Sequence, residues 1–143
     1  MKYLGLDLGT KTLGISITDA TKTLVRPFDV LRFKFEDYSS IIEDIKKIIK
    51  DNDIELVVLG LPKNMDGSIG FAGNRSIAFK EMLEKEKIKV ELIDERLTTK
   101  SAEDIVHLNN DNVKNTKNRI DSIAACIILE NYLKRCQNEI KKQ

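Results

Sequence analysis

Four carboxylates stand where packing alone gives them no reason to be. Asp7 lies inside YLGLDLGTKTLGIS (residues 3–16), an otherwise apolar stretch. Asp94 and Glu95 close KVELIDE (residues 89–95), and Asp121 precedes the apolar run Ile123, Ile127, Ile128. A carboxylate in a hydrophobic segment is costly unless something pairs with it. Each has an ordinary alternative. Asp7 could accept hydrogen bonds from the turn amides of Gly9 to Lys11. Asp94 or Glu95 could pair with Arg96 or Lys100, and Asp121 could be a first-turn acid complementing a helix dipole. Together, however, they form a set of hard oxygen donors without His or Cys, the kind that Mg²⁺ or Mn²⁺ selects. Two such ions about 3.5–4 Å apart can clamp the attacking and leaving oxygens of a phosphodiester. Strand alternation sends Asp94 and Glu95 to opposite sides of a sheet, so only one of them can face Asp7.

The groups that could hold a phosphate backbone lie close by in sequence. GLPKNMDGSIG (residues 60–70) is a glycine-bearing loop that offers amides with Lys63 and Asn64. Asn64 could instead order that turn through its own side chain. Lys11 sits in the turn GTKT, while Lys114, Lys117 and Arg119 flank Asp121. A solvated lysine-rich loop is the competing reading of that last group. Arginine occurs at only six positions, which makes Arg75 and Arg96 further candidates for nucleic-acid contact.

The elements that must position these residues follow from periodicity. Residues 3–8 and 13–18 read as a hairpin, and residues 24–33 as a third strand that Pro27 consigns to an edge. Ile41, Ile42, Ile45, Ile48 and Ile49 have helical spacing. Residues 55–62 are a continuous apolar run, as in a central parallel strand. A helix over FAGNRSIAFKEMLEKEK, a strand over residues 89–95 and a helix over TTKSAEDIVHL follow. A polar loop then leads to a last helix, RIDSIAACIILENYLKRC, with residues 136–143 as a frayed tail. The order β-β-β-α-β-α-β-α-α predicts a mixed sheet with helices on both faces and ligands at the carboxyl ends of its central strands. Ala124 and Ala125 would let the last helix approach the sheet closely.

The chain has 143 residues, net charge +1, 41% hydrophobic and 33% charged residues. That suits one domain with a sizeable core. With no apolar run long enough to span a bilayer and no leader pattern, a cytoplasmic protein with no membrane partner is expected. Cys126 and Cys136 are ten residues apart on one expected helix, roughly 15 Å, too far for a disulfide. The one histidine, His107, and two distant cysteines make no zinc set.

LGLDLGTKTLGIS, VVLGLPKNMDGSIG, IDERLTT and KNRIDSIAACIILENYL, in that order, resemble the signature of the YqgF family. It is also called RuvX or the pre-16S rRNA nuclease family, and is related to Holliday junction resolvases. The match runs to about residue 135. Phe71-Ala72-Gly73 departs from the family pattern, while Arg75 keeps to it. The resemblance implies an RNase H-like fold with a five-stranded mixed sheet, order 3-2-1-4-5. It implies divalent-metal nuclease chemistry in maturation of the 16S rRNA 5′ end. It implies Asp7, Glu95 and Asp121 as catalytic and metal-binding acids, with Asp94 a fourth candidate. The expected partner is pre-rRNA, or branched DNA for a resolvase, with the ribosomal particle as a further partner and a monomer or homodimer as the acting form. A non-catalytic assembly factor is a third reading. An ATP-dependent phosphotransferase, prompted by DLGT, ranks last because such enzymes close two domains over the nucleotide.

Overall fold

The computed structural model describes residues 1–64, 66–94 and 116–141, with side chains of residues 122–138 in the last stretch. Strands β1 (Lys2–Leu8) and β2 (Thr12–Thr18) pair antiparallel with Asp7 opposite Gly14. Strand β3 (Val25–Arg32) pairs with β2. Helix α1 (Ser39–Asp51) leads to β4 (Ile54–Leu61), helix α2 (Phe71–Lys85) and β5 (Val90–Asp94), and α3 (Thr116–Lys141) is the last described element. The sheet order is β3-β2-β1-β4-β5, with β4 parallel to β1 and β5. This is the expected fold.

Period-two alternation divides the strands between two cores. Leu4, Leu6, Leu13, Ile15, Ile17, Val57 and Leu59 pack on one face with Ile41, Ile42 and Ile45 of α1 and Phe79 and Leu83 of α2. On the other face, Val58 and Ile93 meet Ile128, Leu129 and Tyr132 of α3, with Tyr3 and Leu56 alongside. Each of these side chains gains roughly 1.5–3 kcal/mol by full burial, so register is strongly held on both faces. Pro27 does lie in an edge strand. The β2–β3 register shifts between Ile15 and Ser16, and Ser16 pairs with Pro27. A residue without an N–H belongs at such a discontinuity.

Helix α3 touches the sheet at its backbone. The buried Ser16 hydroxyl donates to the Ala125 carbonyl at 2.7 Å. A Cβ placed on Gly5 would lie 2.6 Å from Leu129 Cγ and 2.8 Å from the Ala125 oxygen. The close approach expected from Ala124 and Ala125 is therefore present, and the sheet answers it with Gly5 and Ser16. Losing one buried hydrogen bond costs about 1 kcal/mol. Ser16→Ala should accordingly lower Tm by about 3 °C, measurable by calorimetry; an unchanged Tm would show that the bond contributes nothing.

Two boundaries differ from the sequence reading. Helix α3 begins at Thr116, inside the expected polar loop, and continues to Lys141 through the expected frayed tail. Residues 136–141 contain no Gly or Pro to stop a helix. Both cysteines are free; burial, with Glu130 nearby, pushes the Cys126 thiol up to about 12. The expected helix over TTKSAEDIVHL and His107 lie outside the described residues.

Candidate active site

Asp7 is the penultimate residue of β1 and is half-buried. Its parity is that of Tyr3 and Gly5, so it belongs to the face that α3 covers. Gly14 is its partner on β2, and Gly60 follows Leu59, the partner of Leu6, on β4. Asp7 is thus flanked across both neighbouring strands by residues without side chains. Neither neighbouring strand therefore places a side chain beside the carboxylate.

Asp94 ends β5 opposite Leu61. Its parity is that of Val90 and Leu92, which pack on the α1/α2 core, whereas Ile93 packs against α3. Asp94 therefore takes the face opposite to Asp7. Glu95, Arg96 and Lys114 lie outside the described residues.

Position 121 is on α3. The sequence reading set Asp121 at the opening of the helix, but it is the sixth helical residue, and the first turn contains no acid. Dipole complementarity falls off within the first turn, so that ordinary explanation no longer applies. Position 121 precedes Ala125 by one turn and Ile128 by two, and both of those residues meet the sheet face that Asp7 shares. Lys117 and Arg119 are on the first turn of α3.

The candidate phosphate contacts collect at the same end of the sheet. Lys11 is exposed on the turn closed by the Gly9 amide donating to the Thr12 carbonyl at 2.8 Å. Lys63 follows β4, and Arg75 is in the second turn of α2. Asn64 is committed to its own loop. Its amide nitrogen donates to Ser68 Oγ at 3.0 Å, its backbone bonds Ser68 and Gly67, and Asp66 accepts from the Ser68 hydroxyl at 2.6 Å. The turn-ordering alternative is the one present. The positioning residues Gly5 and Ser16 were not singled out from sequence. Their signal was a small residue on β1 and a polar one on β2, at inward positions that face each other across the hairpin.

Among the described residues no three His, Cys, Asp or Glu side chains gather as a metal cluster. The donor chemistry at Asp7 nevertheless fits a hard divalent cation. The carboxylate is only half-buried, glycines flank it, and both cysteines sit further along α3.

The fold has solved relatives. Thermus thermophilus RuvC in complex with a Holliday junction substrate superposes with a TM-score of 0.61 at 13% identity, over 94% of this chain and 96% of that one. The Fowlpox virus resolvase bound to Holliday junction DNA gives 0.54 at 14% identity, over 93% and 99%. The architecture is thus that of the RuvC-like, RNase H-fold resolvases. Sequence comparison is more particular. The family model described as "RuvX: Holliday junction resolvase" matches residues 1–135. A Staphylococcus epidermidis protein named "Putative pre-16S rRNA nuclease" is 42% identical over 138 residues, covering 95% of this chain and 97% of that protein. A protein of the same name from Caldanaerobacter subterraneus is 42% identical over 143 residues, covering 96% and 99%. The chain belongs to the RuvX family, a nuclease family. No described helix is long and apolar enough to cross a membrane.

Proposed function

We propose that this chain is a divalent-metal-dependent endonuclease that cuts structured RNA, acting as a single cytoplasmic domain in 5′-end maturation of 16S rRNA. The observation that carries the reading is the shared face: Asp7 and position 121 both belong to the side of the sheet that α3 covers. Asp94 takes the other face, which favours Glu95 as the third carboxylate. Asp7, Glu95 and Asp121 would then hold Mg²⁺ or Mn²⁺. When bound, such ions polarise the phosphate and lower the pKa of water. The residues themselves orient the substrate. Lys11, Lys63, Arg75, Arg96, Lys117 and Arg119 would hold the phosphates of the strand so that a water lies in line with the scissile P–O3′ bond. Hydrolysis leaves a 5′-phosphate and a 3′-hydroxyl. The pre-rRNA substrate is supported by the name of the relatives, which the chain matches over nearly their whole length; the ribosomal particle is proposed as its setting.

The second reading is a resolvase on branched DNA, favoured by the family description and by the junction-bound RuvC neighbour. Resolution of a junction needs two coordinated cuts and hence a homodimer, whereas RNA cleavage needs only a monomer. End-labelled RNA spanning the 16S 5′ precursor, incubated beside a four-way DNA junction with Mn²⁺, Mg²⁺ or EDTA, separates the two. RNA cut only with metal is the expected result. Junction cutting alone would transfer the assignment to the resolvase, and RNA bound but uncut under every condition would make the chain an assembly factor.

A further inference from the structure

The carboxyl edge of the sheet holds a second recess that the carboxylate site does not use. A cleft of about 390 Å³ is lined by Glu36, Tyr38, Phe71, Asn74, Arg75 and Ala78. Two observations set it apart from ordinary surface. Phe71, the first residue of α2, is 87% exposed, in a chain with only five phenylalanines and no tryptophan. Tyr38 is 92% buried, being 8% exposed, yet its hydroxyl has no hydrogen-bond partner. Buried polar atoms without partners are rare and call for a reason. The Tyr38 ring is held in place by edge contacts to Phe33 at 5.3 Å and Phe79 at 5.8 Å between ring centres. Arg75 and Glu36, which line the cleft with Tyr38, both act electrostatically on its phenol.

We propose that this cleft is a docking subsite for one unpaired nucleobase of the RNA strand, stacked on Phe71. An aromatic platform recognises any base through its π-face and is sequence-tolerant. The rest of the cleft suits a neutral, hydrogen-bonding edge. Glu36 accepts, Arg75 donates and Asn74 does both. A recess with one acid and one base is poorly suited to a bare phosphate, which would meet Glu36 as a like charge. Its position also suits a strand that continues from the carboxylates. The Phe33 amide bonds the Lys11 carbonyl at 3.0 Å and the Glu36 amide bonds the Thr10 carbonyl at 2.9 Å, so the wall of the cleft is tied to the turn that follows Asp7. The nucleotide in the cleft and the phosphate at Asp7 would lie on either side of one sheet edge. The inference rests on the nuclease reading for its substrate and assigns to that substrate an unpaired nucleotide next to the cut.

The test uses a short RNA duplex with one unpaired 2-aminopurine and a fully paired control, both in EDTA so that no cleavage occurs. Without tryptophan in the chain, protein emission is low and the base reports stacking directly. Wild-type chain should raise the emission of the unpaired 2-aminopurine as the base leaves the duplex stack, and Phe71→Ala should weaken its binding about tenfold or more while leaving the paired control unchanged. Phe71→Trp should restore the affinity, with its own emission quenched by RNA. Unchanged emission with wild-type chain, or equal weakening of both RNAs by Phe71→Ala, overturns the proposal. So does a dimer that Phe71→Ala dissolves without any change in RNA binding; that result assigns Phe71 to contact between copies. Cleavage with Mn²⁺ is scored separately. Cutting without base docking sinks this inference alone, and base docking without cutting sinks the nuclease reading alone.

Discussion

Asp7→Asn should lower metal-dependent RNA cleavage by about a thousandfold or more, the equivalent of several kcal/mol of lost transition-state stabilisation. Asparagine keeps the size of the side chain and one acceptor oxygen but removes the charge that would bind a hard cation in the proposed site. No larger side chain stands at Gly14 or Gly60 to take over its role. The fold should persist, because the half-buried position then carries no charge to desolvate. In EDTA the variant should melt cooperatively within a few degrees of the wild type. Single-turnover rates at saturating Mn²⁺ and melting curves in EDTA make the comparison. Cleavage at the wild-type rate would remove Asp7 from the active site, and a collapse in Tm would return it to a purely structural role.

Gly5→Ala should be the most damaging small substitution in the sheet. The added methyl would sit 2.6 Å from Leu129 Cγ and 2.8 Å from the Ala125 carbonyl oxygen. Leu129 is fully buried, and the oxygen belongs to helix backbone, so neither yields cheaply. Overpacking of this kind costs about 1–3 kcal/mol, or roughly 3–10 °C in Tm for a chain of this size. Relief requires α3 to lift from β1 and to carry position 121 with it. A misplacement of about 1 Å can reduce activity about a hundredfold, so cleavage should fall well beyond the loss of folded protein. Gly70→Ala is the stability control, since its methyl would meet Asn64 at an ordinary 3.5 Å and should leave Tm nearly unchanged. An active, thermally unaltered Gly5→Ala would mean that the helix approach is soft and does not set the site.

Much of this architecture is legible in the sequence because its signals are periodic. The hairpin, the Pro27 edge strand and the isoleucine-rich α1 follow from alternation, a missing N–H and helical spacing. Asp7 stands out because a single charge interrupts an apolar strand. The contest between Asp94 and Glu95 could be framed in advance from alternation alone. Choosing a face required the register of β5 against β4 and the knowledge of which core Val90 and Leu92 join. The extent of α3 was less legible. Polar residues at both its ends look like loop, yet nothing there breaks a helix. Gly5 and Ser16 were least legible of all. Their importance comes from a helix 109 residues further on from Ser16, and no local pattern encodes a contact over such a distance. Asn64 shows the opposite limit: an amide in a loop is equally suited to a ligand or to its own turn, and only the hydrogen bonds to Ser68 decide.

That separation of 109 residues also sets a clock on the newly made chain. During synthesis at about 5–20 residues per second, Ser16 leaves the peptidyl-transfer centre roughly 5–20 s before Ala125 is added. In the later part of that interval, once they have been made, β1, β2 and β4 can pair, and α1 and α2 can cover one side of them. Among the described helices only α3 covers the other side, with Tyr3, Val58 and Ile93. A nascent chain is therefore sticky on the face that bears Asp7 and, with the site proposed above, would be inert as a nuclease over the same period. The helix that ends the first condition would also end the second, so a half-made molecule would leave the RNA of the ribosomes around it uncut.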